Sequence, residues 1–204
     1  MKEKPILFSG PMVRAILEGR KTQTRRVVKP SPPDYINELH GGEFSMRVPY
    51  RMRDDNDDPA GFGFQDDNGN YWRCPYGHVG DRLWVKETFC TTGDDGRVNV
   101  CWRADGWGDC PADDGKWKPS IFMPRKFSRI TMEIVSVRVE RLQDTSEADA
   151  AAEGAMPTLG RLAATIIGTK GTCRIGYAQI WESINGAGSW AKNPWVWVIE
   201  FKRI

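Results

Sequence analysis

The sequence predicts a mixed α+β domain wound round a curved, barrel-like sheet, and three observations carry that prediction. Strand patterns outnumber the helical ones and bracket them. Residues 128–142 (SRITMEIVSVRVERL) alternate apolar and polar types but change phase midway: Ile130, Met132 and Ile134 give way to Val135, Val137 and Val139. A β-bulge, which inserts one residue and bends the strand, is expected there. Residues 195–204 (WVWVIEFKRI) begin with an unbroken apolar run, the pattern of a strand buried on both faces.

The remaining elements follow in chain order. Residues 4–9 read as a short apolar strand. Pro11 opens a helix with Val13, Ile16 and Leu17 on one face, and Gly19 ends it. Residues 20–26 alternate polar and basic types and are expected as an extended turn. Residues 31–71 are rich in Pro, Gly, Asp and Asn and predict a long excursion, with Asn68-Gly69 a tight-hairpin signal inside it. Residues 82–89 (RLWVKETF) alternate as a strand, with Leu83, Val85 and Phe89 on a face different from Trp84 and Lys86. A second polar stretch, 91–118, surrounds a short strand candidate at 98–103. Helix is expected at 146–154, where Ser146 and Asp149 form a capping box, and 159–167 extends a helical region. Residues 177–184 are amphipathic, with Tyr177, Ile180, Trp181 and Ile184 on one side. The whole reads as a single domain over 1–204 with insertions at about 31–79 and 91–120, a length that one core can serve.

Composition narrows the function. Twenty-nine Lys and Arg against 27 Asp and Glu leave a net charge of +2, so any basic surface must be local. No run approaches the ~20 apolar residues that cross a bilayer, and the charged Lys2, Glu3 and Lys4 precede too few apolar residues for a secretion signal. A cytoplasmic protein without membrane contact is expected. The 5 cysteines form no CxxC pair, His40 and His78 lie far apart, and the acids at 54, 55, 57 and 58 lack EF-hand spacing; neither metal nor cofactor is expected. Nine tryptophans are mostly assigned to the core, Trp84 among them, with base stacking by Trp84 or Trp190 as the alternative.

The segment 19–26 carries the chemistry. In an extended chain Thr22, Thr24 and Arg26 share one side, and Lys21, Gln23 and Arg25 the other. Ile16-Leu17-x-Gly19-x-Lys21-Thr22-x-Thr24-x-Arg26 resembles the signature of the ASCH domain, a small β-barrel of the PUA-like superfamily. The stretch from Gly80 to Thr88 is similar to that family's second strand block, 142–156 to its helix, and 195–201 to its closing strand. With Met123-Pro124-Arg125 and Ser183-Ile184-Asn185-Gly186, the chain resembles the longer forms encoded by bacteriophages and prophages, which would place it in a host cytoplasm.

That resemblance implies a function. Some ASCH proteins are amidohydrolases that deacetylate N4-acetylcytidine with a Lys, a Thr and a Glu; these fall on Lys21, Thr24 and Glu153, with Glu147 as the fallback for the acid. An amide yields to a hydroxyl only when a base takes its proton and donors steady the oxyanion, and a desolvated lysine is such a base. Arg26, Thr22 and Arg25 are the expected substrate-binding residues. Taken singly, Lys21 reads as a surface charge, Thr24 as a strand former and Glu153 as a solvated helix position. Two further readings stand beside the hydrolase: a non-catalytic RNA- or DNA-binding module, and a ribonuclease in which Lys21 and Arg26 face a phosphorane. The expected partner is a modified nucleoside or a nucleic acid, RNA before DNA. Met123 to Arg129 adds basic and aromatic residues that suit either nucleic-acid contact or a solvated rim.

Overall fold

The computed structural model describes residues 1–32, 63–65, 70–93, 98–112, 115–158 and 172–204. The Asn68-Gly69 turn, His40, the acidic cluster at 54–58 and the helical expectation at 159–167 lie outside them.

A five-stranded sheet organises the chain. Its strands are β1 (Glu3–Leu7), β2 (Gln23–Val27), β5 (Arg82–Lys86), β8 (Thr131–Arg141) and β9 (Trp195–Arg203), in the order β1-β5-β8-β9-β2. β1 runs parallel to β5 and every other pairing is antiparallel. Two small antiparallel pairs flank it: β3 (Gly63–Gln65) with β4 (Tyr71–Arg73), and β6 (Phe89–Thr92) with β7 (Asn99–Trp102). The helices are α1 (Gly10–Leu17), α2 (Glu147–Ala152) and α3 (Cys173–Asn185). The fold is mixed α+β with a sheet-dominated core.

The sheet is buried on both faces where β8 and β9 cross its middle. One core gathers Ile6, Leu83, Val85, Met132, Ile134, Trp197 and Ile199 beneath α1; a second packs Val196 and Val198 of β9 against α2 and α3 through Ala150, Tyr177 and Trp181. Doubly apolar β9 is therefore the layer shared by two cores. The phase change in β8 is a register shift between Ile134 and Ser136, with Val135 turned out and 41% exposed. After the shift Val137 and Val139 keep to the first core, while Arg138 and Glu140 face α2. The sheet's edges approach at one seam: Arg26 of β2 donates from Nη2 to Leu7 O of β1 at 2.7 Å, and its guanidinium lies 5.2 Å from the Phe8 ring.

Two expectations need correction. Residues 23–27 are not a turn but the edge strand β2, because Gln23 to Val27 pair in register with Glu200 to Val196. Trp84 is half-buried on the outer face rather than in the core. It shares strand parity with Arg82 and Lys86, and the cations of Lys86 and Arg125 lie 5.5 and 5.9 Å from its ring.

Candidate active site

Local geometry drives Lys21 inward. Beyond the Glu18 C-cap of α1, Gly19 at φ +74° reverses the chain, and the backbone N–H groups of Arg20 and Lys21 then donate to Ala15 O. Thr22 N donates to Ala152 O and Thr22 O accepts from Phe201 N, so this segment is clamped between the end of α2 and β9. Ser146 and Asp149 cap α2 reciprocally, as the sequence predicts. Glu153 lies at the C-cap of that helix, and Lys21 and Glu153 meet in an antiparallel bridge. Gly154 follows at φ +84°, and a β-carbon there would stand 2.9 Å from Ala15 Cβ and 3.2 Å from Lys21 Cβ.

This glycine yields a first expectation. Gly154→Ala should cost about 2–4 kcal/mol, combining the left-handed backbone with overpacking. Gly19→Ala, which meets nothing within 4 Å, should cost only the backbone share of about 1–2 kcal/mol. Urea denaturation of both variants checks the difference; equal losses would remove the packing role given to Gly154.

The buried charges form one network. Lys21 is 2% exposed, and its Nζ donates to Glu153 Oε2 at 2.7 Å, Glu153 O at 2.9 Å and Gln23 O at 2.8 Å, which uses all three ammonium protons. Glu153 Oε1 accepts from Arg25 Nη1 at 3.2 Å. Arg25 in turn spans Glu140 at 2.5 Å and Asp149 at 3.4 Å and stacks 5.9 Å from the Tyr177 ring. Arg138 joins Glu140, Asp149 and Glu200. Gln23 donates from Nε2 to Asp149 O and Oδ1. Lys21, Gln23 and Arg25 thus share the α2 side of β2, as alternation predicts.

Burial pushes the Lys21 ammonium below its ordinary range, and the Glu153 carboxylate only partly offsets this. Burial would raise Asp149, but hydrogen bonds from Ser146 and Gln23 and the charge of Arg25 hold it well below the usual carboxylate range. The Tyr177 phenol is pushed well up, first by burial and then by Glu153, so it stays a donor at neutral pH.

A cavity of about 60 Å³ opens beside the network, lined by Thr24, Arg25, Arg26, Glu153, Tyr177 and Trp181 among others. It is large enough for a few waters. Thr24 is 3% exposed and lines it together with Glu153, while Lys21 does not line it. Of the expected binding residues, Arg26 lines the cavity with an Nε–H that has no hydrogen-bond partner among the described residues. Arg25 also lines it, but its guanidinium is enclosed and committed to carboxylates. Thr22 is exposed and outside the lining.

The fallback acid has other work. Glu147 accepts from the backbone N–H groups of Cys173 and Arg174 and tethers the start of α3 to α2. Sequence reasoning missed Tyr177 as a cavity residue, and it missed Asp149, Glu140 and Arg138 as counter-charges. The phase change in β8 was the available signal for the last two, since it turns positions 138 and 140 toward α2. Among the described residues no group of three or more His, Cys, Asp and Glu side chains is placed to hold a metal, and no helix is long and apolar enough to cross a membrane.

Comparison with family models and with curated proteins finds no match. Among solved structures, the ASCH domain from Lactobacillus crispatus JV V101 aligns with 99% of this chain and 79% of its own, at 14% identity and a TM-score of 0.36. The functional reading therefore rests on this chain's own residues.

Proposed function

We propose that the chain hydrolyses the amide of an acylated pyrimidine nucleoside or base, with N4-acetylcytidine the substrate to try first. One observation carries the reading: Glu153, whose carboxylate holds the buried Lys21 ammonium at 2.7 Å, lines a cavity that Thr24 also lines, with Lys21 behind it. The resemblance of 16–26 to the ASCH signature supports Lys21 and Thr24, and that of 142–156 to the family's helix supports Glu153. In the form where Lys21 is an amine, the pair takes the proton of Thr24 as its Oγ adds to the acyl carbon. Arg26 Nε and the Tyr177 hydroxyl are the donors available to the oxyanion. The C–N bond then breaks, the proton passes to the leaving nitrogen, and an acyl ester remains on Thr24. Water adds to that ester, the C–O bond breaks, and the acid and the free hydroxyl are released.

The test is chromatographic: the wild-type protein should convert N4-acetylcytidine to cytidine and acetate. Arg26→Ala should retain the fold and lower kcat/KM roughly 10–100-fold through loss of one oxyanion or base donor. Intact N4-acetylcytidine after prolonged incubation would sink the proposal. Cleavage of RNA that disappears with Lys21→Ala would move the chain to the ribonuclease reading instead.

A further inference from the structure

A second surface, away from the cavity, lies on the outer face where β8 begins. Trp84 is its centre, with Pro5 and Thr131 as cross-strand neighbours. Lys86, 5.5 Å from the indole, donates to Ile121 O at 2.6 Å and so holds the turn at Ser120–Phe122 against the strand. Arg125, 5.9 Å from the indole on its other flank, is fixed by Glu3 and by Thr131 Oγ1. This turn lifts apolar groups into solvent: Ile121 is 60% exposed and Phe122 71%. Two large apolar side chains exposed side by side mark an interaction surface.

Charge identifies the cover. Between 115 and 132 the sequence carries 5 cations, Lys116, Lys118, Arg125, Lys126 and Arg129, and no Asp or Glu, in a chain whose net charge is only +2. Arg129 is offset by Glu87 and Asp105, and Arg125 by Glu3. Lys86, Lys118 and Lys126 have no carboxylate partner among the described residues. Exposed aromatic and unpaired cations side by side match a ligand that offers flat apolar rings and phosphates together. The strip is continuous with the seam beside the cavity, because Leu7, whose carbonyl receives Arg26, lies opposite Lys86 in the β1–β5 register.

We propose that this face binds a single-stranded polynucleotide, with a base stacked on Phe122 and the phosphates on Lys86, Lys118, Arg125 and Lys126. The inference does not rest on hydrolysis, since binding is read without turnover, and a failed deacetylation assay leaves it standing. Fluorescence polarisation of a labelled oligouridylate should show binding by the full chain that weakens steeply with salt. Phe122→Ser should weaken it roughly tenfold. Arg125→Glu with Lys126→Glu should weaken it about tenfold or more at low salt and flatten the salt slope by about two. Lys192→Glu, in the turn before β9 at the other end of β8, should change nothing. Circular dichroism verifies that each variant folds. No binding by the wild type at low salt would overturn the proposal. So would unchanged binding in the Phe122 variant, duplex bound as tightly as single strand, or self-association through Phe122 in place of oligonucleotide binding.

Discussion

Replacing Lys21 or Thr24 is expected to lower turnover of N4-acetylcytidine by roughly 10³-fold or more, since each removes a covalent or proton-transfer step rather than a contact. Thr24→Val is the cleaner variant. It preserves the branched shape at a site 3% exposed and deletes only a hydroxyl that makes no hydrogen bond among the described residues. Binding of substrate should persist in it while kcat collapses. Lys21→Ala must be read with a stability measurement, because it strands the Glu153 carboxylate. The wild-type pH profile supplies a second readout. A base that must be neutral gives a rate that rises with pH through the Lys21 pKa, and burial sets that midpoint below the ordinary lysine value. A Thr24→Val enzyme with wild-type kcat would remove the acyl-threonine step.

Glu153→Gln is expected to destabilise the fold by about 3–5 kcal/mol, the usual cost of breaking a buried ion pair from one side. The substitution is nearly isosteric, so the cost is electrical. Glu153 accepts at both oxygens, from Lys21 on one and Arg25 on the other. Glutamine offers one acceptor and one donor, so an N–H must face a cation. The pH dependence follows from the direction of the Lys21 shift. Its folded pKa lies below its unfolded one, so between the two the unfolded chain binds more protons and stability rises with pH. Below the folded pKa that contribution is gone. Losing Glu153 removes what holds the Lys21 pKa up, so the rise should begin at a lower pH in the variant. Urea midpoints from neutral to alkaline pH test both points; a variant within about 1 kcal/mol of wild type would show that Glu153 is not the counter-ion assigned here.

The strands were legible where side chains face a core. Ile130, Met132 and Ile134 name their face by period, and the doubly apolar start of β9 announces two cores. Capping chemistry made α2 readable, because Ser146 and Asp149 act within four residues. β2 reads as a turn in sequence because Gln23 and Arg25, with Lys21 just before them, put buried polar side chains on its inner face, and their carboxylate partners Asp149, Glu140 and Glu153 lie more than a hundred residues away. Trp84 misled for the opposite reason, an apolar ring that finds cations instead of a core. The convergence of Lys21 with Glu153 was reachable only through resemblance, since no local pattern links position 21 to position 153.

The extra residue at Val135 sets which side chains the last turns of β8 offer to each layer. What matters there is a count, not an identity: almost any side chain would serve at an exposed position. Shortening the strand by one would instead rotate its far half by one pleat, delivering Arg138 and Glu140 into hydrocarbon and handing two valines to Arg25 and Asp149. The charge network is thus tuned by chain length at a point that touches none of its members, and lineages of this protein should tolerate spelling changes at 135 far better than deletions.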